Sequence, residues 1–90
     1  MFASLSKIKK IAQENPVGLN PEAIVGKCLD LAQSALNLAD DKGFSEFEEH
    51  YYSAFQQIEN TIAEHPYPEE NDFCIKECIR IANTTLYNQE

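Results

Sequence analysis

"FEEHYYSAFQQIENTI", residues 47–62, carries the strongest helical pattern in the chain. At a turn of about 100° per residue, six apolar side chains fall within about 60° of Tyr51 on one helical face. These side chains are Phe47, Tyr51, Ala54, Phe55, Ile58 and Ile62. The pattern predicts an amphipathic helix whose apolar face, Phe47 included, lies in a core.

Both ends of this helix have recognisable signals. Ser45 followed by Glu48 is typical of a capping box, in which each residue binds the other's backbone amide. "HPYP", residues 65–68, ends the helix because proline lacks an amide proton and restricts the residue before it.

A second, longer helix precedes it and begins at "NPE", residues 20–22. Asn20 is the predicted N-cap, Pro21 the first helical residue, and Glu22 meets the positive end of the helix dipole. We expect this helix to end near Asp41, with Gly43 in a left-handed cap conformation. Its apolar stripe comprises Ile24, Cys28, Leu31, Ala32, Ala35 and Ala39, with Val25, Leu36 and Leu38 on the flanks.

Two further helices complete the prediction. The first spans about residues 4–14, closes at Pro16 and places Leu5, Ile8, Ile11 and Ala12 on one face. The last begins between Pro68 and Asp72, runs to about Tyr87, and lines its inner side with Cys74, Ile75, Cys78, Ile81, Ala82 and Leu86. No segment alternates with a period of two, so the sequence predicts an all-α protein: one domain, residues 1–90, forming an antiparallel bundle of four helices joined by short loops.

The acidic residues are unevenly distributed along the chain. Its 7 basic and 15 acidic residues give a net charge of -8. The segment 40–72 holds ten acids against a single lysine, Lys42. Such a field repels nucleic acid and anionic membranes and attracts basic proteins, so we expect neither nucleic-acid nor membrane binding.

The cysteines and the N-terminal segment predict a cytoplasmic protein. Three cysteines, an odd number, together with the lack of an export signal in "MFASLSKIKKIAQENP", favour free thiols in a reducing compartment. We expect no disulfide.

Candidate catalytic and metal-binding patterns are weak. Cys74 and Cys78 share one helical face, a spacing that suits two zinc ligands, but all three cysteines lie in apolar stripes and are expected to pack as small hydrophobes. Residues 47 and 62, three before the two histidines, are Phe and Ile, whereas a di-iron bundle needs Glu there. We therefore predict no enzyme activity, no metal and no cofactor.

The two neighbours of Ser45 argue against a carrier role. An acidic four-helix chain of this size resembles acyl carrier proteins, which attach phosphopantetheine to serine in an Asp-Ser-Leu motif. Ser45 is flanked instead by Phe44 and Glu46, so capping is the better interpretation.

Tyr52 suggests a partner-binding surface, because it lies about 100° from Tyr51 and therefore outside the apolar stripe. An exposed aromatic ring surrounded by carboxylates is typical of a hot spot for a basic protein, and folding alone gives Tyr52 no role. The predicted epitope is the outer side of the third helix and its closing loop: Glu48, Glu49, Tyr52, Gln56, Glu59 and Tyr67.

"TIAEHPYP", residues 61–68, carries a Glu-His-Pro that resembles the end of an acidic helix in the colicin nuclease immunity proteins. The length, acidity and predicted helical architecture of this chain are also similar to those of helical immunity proteins from contact-dependent growth inhibition systems. The Tyr-Tyr-Pro recognition motif of the colicin group has no counterpart, since Ser53 follows Tyr52. The resemblance implies a bacterial, cytoplasmic inhibitor of a basic, nuclease-like toxin. It does not identify which residues of this chain bind the toxin.

Three functions remain open from the sequence. The leading hypothesis is such a toxin inhibitor. A nucleic-acid mimic from a phage or mobile element would instead use its carboxylates as false phosphates against a DNA-binding enzyme. A non-inhibitory adaptor or assembly subunit, including a homodimer, would bind through an apolar interface that survives high salt.

Overall fold

The chain folds into four α-helices in the computed structural model, which describes residues 1–87. They are α1 (Phe2–Glu14), α2 (Pro21–Lys42), α3 (Glu49–Glu64) and α4 (Asn71–Tyr87). Short 3₁₀ turns, Glu46–Glu48 and Pro68–Glu70, precede α3 and α4. No strand occurs within residues 1–87, and the predicted all-α bundle is confirmed.

The helices pack in a four-membered ring. α1 contacts α2 and α4, α3 contacts the same two helices, and α2 also touches α4 across the diagonal. The 22 residues of α2 span about 33 Å at 1.5 Å per residue, close to the 36 Å length of the whole molecule. Short loops therefore lie at two opposite ends, which we call the Gly43 end (residues 42–49) and the Pro68 end (residues 15–20 and 65–70).

The start of α2 follows the sequence prediction. The Asn20 side chain accepts a hydrogen bond from the amide of Ala23 at 2.8 Å, and Pro21 occupies the first helical position. At the other end, Gly43 has a φ of 79°, as a left-handed cap requires, but its ψ of 171° is extended. The predicted left-handed cap conformation is therefore wrong, because the ψ angle of Gly43 lies far from the left-handed value. The combination of a positive φ with an extended ψ is one that essentially only glycine adopts.

Replacing Asn20 by alanine is expected to lower the free energy of unfolding by about 1 kcal/mol, because the amide of Ala23 loses its capping partner. Urea unfolding measures this loss. Asn37→Ala is the matched control, since Asn37 is exposed in the middle of the same helix and alanine is the better helix former there. Equal destabilisation by both changes would contradict a capping role.

The core lies along the axis of the bundle and receives side chains from all four helices. Phe55, Leu5, Ile8, Ile58 and the three cysteines are the largest fully buried side chains. Tyr51 is buried as predicted, and its ring meets that of Phe2 edge to face at 6.3 Å between centroids. The remaining buried positions, among them Ala32, Ala54 and Ala82, are small enough to let the helices approach closely.

Phe47 is the main error in the predicted core, because 87% of its surface is exposed. The capping-box residues open a 3₁₀ turn instead of the α-helix: the amide of Glu48 donates to the carbonyl of Ser45 at 2.9 Å, three residues back. A 3₁₀ turn has 3.0 residues per turn, so the face defined by Tyr51 cannot be projected back to residue 47. The turn directs Phe47 away from the core.

Candidate protein-binding surface

The acids of residues 40–72 all remain at the surface. None of the ten is buried. Within the described residues 1–87, the only ion pair that involves one of them joins Glu70 to His65. The nine others have no basic side chain within ion-pair distance in that part of the chain, so their charge is available to a partner.

The six residues of the predicted epitope do not form one patch. Glu48 and Glu49 lie at the start of α3, and Tyr52, Gln56 and Glu59 follow along the helix. Tyr67 lies beyond the opposite end of α3, more than three helical turns or roughly 18 Å from Tyr52 along the axis. Tyr67 therefore belongs to the Pro68 end, and the epitope as a set stays a prediction.

Tyr52 has a structural role that the helical pattern does not reveal. Its ring is partly buried and stacks on that of Phe44, with 4.6 Å between centroids and 11° between planes. Its hydroxyl donates a hydrogen bond of 2.7 Å to the carboxylate of Asp40, near the end of α2. The expectation that folding leaves Tyr52 exposed and without a role is wrong, because this side chain joins α3 to the end of α2 and the loop after it.

The bond to Asp40 raises the pKa of the Tyr52 phenol above its ordinary value, and burial and the negative charges of Asp40 and Glu59 act in the same direction. A phenol whose pKa is higher in the folded state stabilises the fold below its ordinary pKa of about 10 and loses that contribution as the pH rises further. We therefore expect the stability advantage of the wild type over Tyr52→Phe to disappear on the alkaline side of about pH 10.

Chemical unfolding of the wild type and of Tyr52→Phe across the alkaline range tests this expectation. The two proteins share every other titrating group, so the difference between them isolates the phenol. A difference in stability that stays constant across this range would mean that the hydrogen bond to Asp40 does not contribute.

An apolar cleft at the Gly43 end was not predicted. It has a volume of about 170 Å³ and lies between the start of α1 and the end of α2. Met1, Leu38 and Phe44 are among its apolar lining residues, and Lys42 and Glu48 are its charged ones. Leu38, a predicted flank residue of α2, is 55% exposed. The exposed Phe47 is adjacent to Glu48. The only sequence signal for the exposure of Phe47 was the capping box, because the turn of 100° per residue that holds in an α-helix does not apply to the 3₁₀ turn that the capping box opens.

The cysteines are buried and free, as the packing interpretation expects. Burial, and then the negative charge of Glu70, raises the pKa of Cys74. A hydrogen bond with Cys28, with burial in addition, raises the pKa of Cys78 well above the usual range. Cys74 and Cys78, held protonated in this way, are poor nucleophiles and poor metal ligands, whereas the hydrogen bond with Cys78 lowers the pKa of Cys28.

The two histidines occupy different surroundings. His50 is exposed, with its ring tilted against that of Tyr51 at 4.1 Å. His65 pairs through Nδ1 with Glu70 and lies against the ring of Phe73, and its backbone carbonyl accepts a bond from the Cys74 thiol at 3.6 Å. This second arrangement ties the loop before α4 to α4 itself. Over residues 1–87, no group of three or more His, Cys, Asp or Glu side chains is placed to hold a metal ion.

None of the helices in residues 1–87 combines the length and the apolar character needed to cross a membrane. In comparisons with protein families, characterised proteins and solved structures, no match to the chain was found.

Proposed function

We propose that this protein is an inhibitor that binds a basic protein, of the kind that neutralises a nuclease-like bacterial toxin in the cytoplasm of the cell that makes it. The observation that carries the proposal is the unpaired charge of residues 40–72. Ten carboxylates lie at the surface there, and Glu70 is the only one of these ten that has an ion-pair partner within residues 1–87.

This charge favours one kind of partner. Carboxylates that a fold does not neutralise internally attract a positive surface over several ångströms and accelerate encounter with it. Nucleases present positive surfaces to bind phosphate, so an acidic protein is suited to meet such a surface. The inhibitor needs no catalytic group of its own, because occupation of the toxin's surface is sufficient.

The resemblance to helical immunity proteins supports the same proposal at the level of architecture, size and charge. The cytoplasmic location is part of the proposal and rests on the three free cysteines. The same carboxylates would serve a nucleic-acid mimic, and the apolar cleft at the Gly43 end would serve an adaptor, so both functions become outcomes of the test.

The proposal can be tested by capture from the native cell. The immobilised protein is expected to retain a basic protein at low salt and to release it as the salt concentration rises, since screening weakens contacts between exposed charges. Mass spectrometry identifies the captured protein, and its nuclease activity is measured with and without the inhibitor.

Two results would contradict toxin inhibition. Capture of a DNA-binding enzyme of a defence or replication system would indicate nucleic-acid mimicry. Capture that persists at high salt, with no loss of the partner's activity, would indicate an adaptor with an apolar interface.

A further inference from the structure

The cleft at the Gly43 end has exposed apolar side chains in and beside it. Leu38 and Phe44 line the cleft and are 55% and 41% exposed, and Phe47, the chain neighbour of the lining residue Glu48, is 87% exposed. Exposed apolar groups that gather around a concave surface mark an interaction site more often than isolated ones do. The cleft, at about 170 Å³, is smaller than the roughly 300–1,000 Å³ of small-molecule sites, so it suits inserted side chains of a larger partner.

The wall of the cleft is held in place. Phe44 stacks on Tyr52, and the hydroxyl of Tyr52 is bound to Asp40. The end of α2, the loop after it and the first turns of α3 are therefore connected before any partner arrives. A partner that docks here loses less free energy in ordering the surface than it would on a mobile loop.

The charges around the cleft select the partner. Lys42 and Glu48 line the cleft with opposite charges. Four further exposed carboxylates at the same end make it acidic: Asp40 and Asp41 in the last turn of α2, and Glu46 and Glu49 at the start of α3 and the turn before it. A second copy of this chain docked end to end would bring two such acidic rims together, which is unfavourable. A basic partner meets complementary charge around the apolar contact.

The geometry of the fold also selects the form of the partner segment. Within the described residues the chain has no strand, so no sheet edge is available to pair with an extended peptide. A helix satisfies its own backbone hydrogen bonds and presents apolar residues at positions i, i+3 and i+4 to a groove. Lysine or arginine on the flanks of that helix can then reach the acidic rim.

We propose that the cleft binds the apolar face of a basic amphipathic helix of the partner protein, with Leu38 and Phe44 as the anchors inside the cleft and Phe47 as an exposed apolar contact next to it. The proposal rests on the proposed function, because it identifies where the basic partner docks. It places part of the partner's contact at the Gly43 end of the bundle, whereas the epitope predicted from the sequence lies on the outer side of α3 and its closing loop.

A defined pair of peptides tests the inference. The first is a synthetic amphipathic helix of about five turns, with leucine at the i, i+3, i+4 and i+7 positions and lysine elsewhere. The second has the same lysines, and serine replaces every leucine. Fluorescence anisotropy of the labelled peptides measures affinity for the wild type, Phe47→Ala, Leu38→Ala and a control, Val17→Ala. Val17 is 72% exposed and lies at the Pro68 end.

The leucine peptide is expected to bind the wild type more tightly than the serine peptide. Phe47→Ala and Leu38→Ala are each expected to weaken its binding by about tenfold, the usual effect of removing an anchor residue, while Val17→Ala leaves it unchanged. Because all three side chains are exposed, circular dichroism should show that each variant keeps the helical fold.

The outcomes separate the two proposals. If both peptides bind equally and Phe47→Ala has no effect, the docking inference is overturned while the attraction for basic partners stands. If neither peptide binds, the electrostatic basis of the proposed function fails as well. If the wild type sediments as a dimer that Phe47→Ala dissociates, the occupant is a second copy of the chain, and a basic partner at this site is excluded.

Discussion

Replacing Phe55 by alanine is expected to reduce the free energy of unfolding by about 3–5 kcal/mol, the usual cost of truncating a buried aromatic ring. Phe55 has no exposed surface and lies near the middle of α3, where the helices of the bundle meet. A domain of this size has a total stability of only about 5–13 kcal/mol at the usual value per residue. The variant is thus expected to be partly unfolded at physiological temperature.

Phe47→Ala is the matched control, since it makes the same substitution eight positions earlier in the same sequence pattern. Phe47 is 87% exposed, so its loss should change stability by less than about 0.5 kcal/mol. Urea unfolding monitored by circular dichroism measures both variants. Comparable destabilisation by the two changes would show that the first turn before α3 buries Phe47 in solution, contrary to the structure.

The second large effect is expected on partner association. Reversing two charges of the predicted epitope, with Glu49→Lys and Glu59→Lys together, should slow association with the captured basic protein by about tenfold or more at low salt. Both carboxylates are accessible on α3, and neither has an ion-pair partner within residues 1–87. Stopped-flow kinetics at several salt concentrations measures the rate, and the effect should shrink as salt screens the charges.

A control with the same change in net charge isolates the position of the charges. Glu14→Lys with Asp30→Lys reverses two exposed acids on α1 and α2, outside residues 40–72. Because Glu49 lies in the first turn of α3, where an acid favours the helix dipole, unfolding experiments should first establish that each double variant is folded. Equal slowing by both pairs would mean that net charge alone steers the partner, and that the predicted epitope is not the docking surface.

The helices themselves could be predicted from the sequence because each depends on local signals. The Asn20 cap with Pro21 located the start of α2, and the prolines at 66 and 68 located the end of α3. The apolar periods identified most of the buried residues, including all three cysteines. These features arise within one turn or one helical face, where the periodicity and the chemistry of the cap determine the conformation.

The side chains near the start of α3 could not be predicted in the same way. Phe47 is exposed because the chain forms a 3₁₀ turn before the α-helix, which changes the angle per residue. Tyr52 is explained by Phe44 and Asp40, which reach it from the preceding loop and helix. Angles around one helix axis describe that helix alone and contain no information about what a neighbouring segment covers.

The contact between α1 and α4 has a consequence for biosynthesis. These helices are the first and the last of the bundle, yet they pack side by side, and the Nζ of Lys9 donates a hydrogen bond of 3.0 Å to the hydroxyl of Tyr87. While the chain is being translated, α1 can meet α2 early, but the face that it shares with α4 stays open to water until residues 71–87 have left the ribosome. The core therefore closes only after translation of α4, and until then Leu5 and Ile8 are within reach of chaperones.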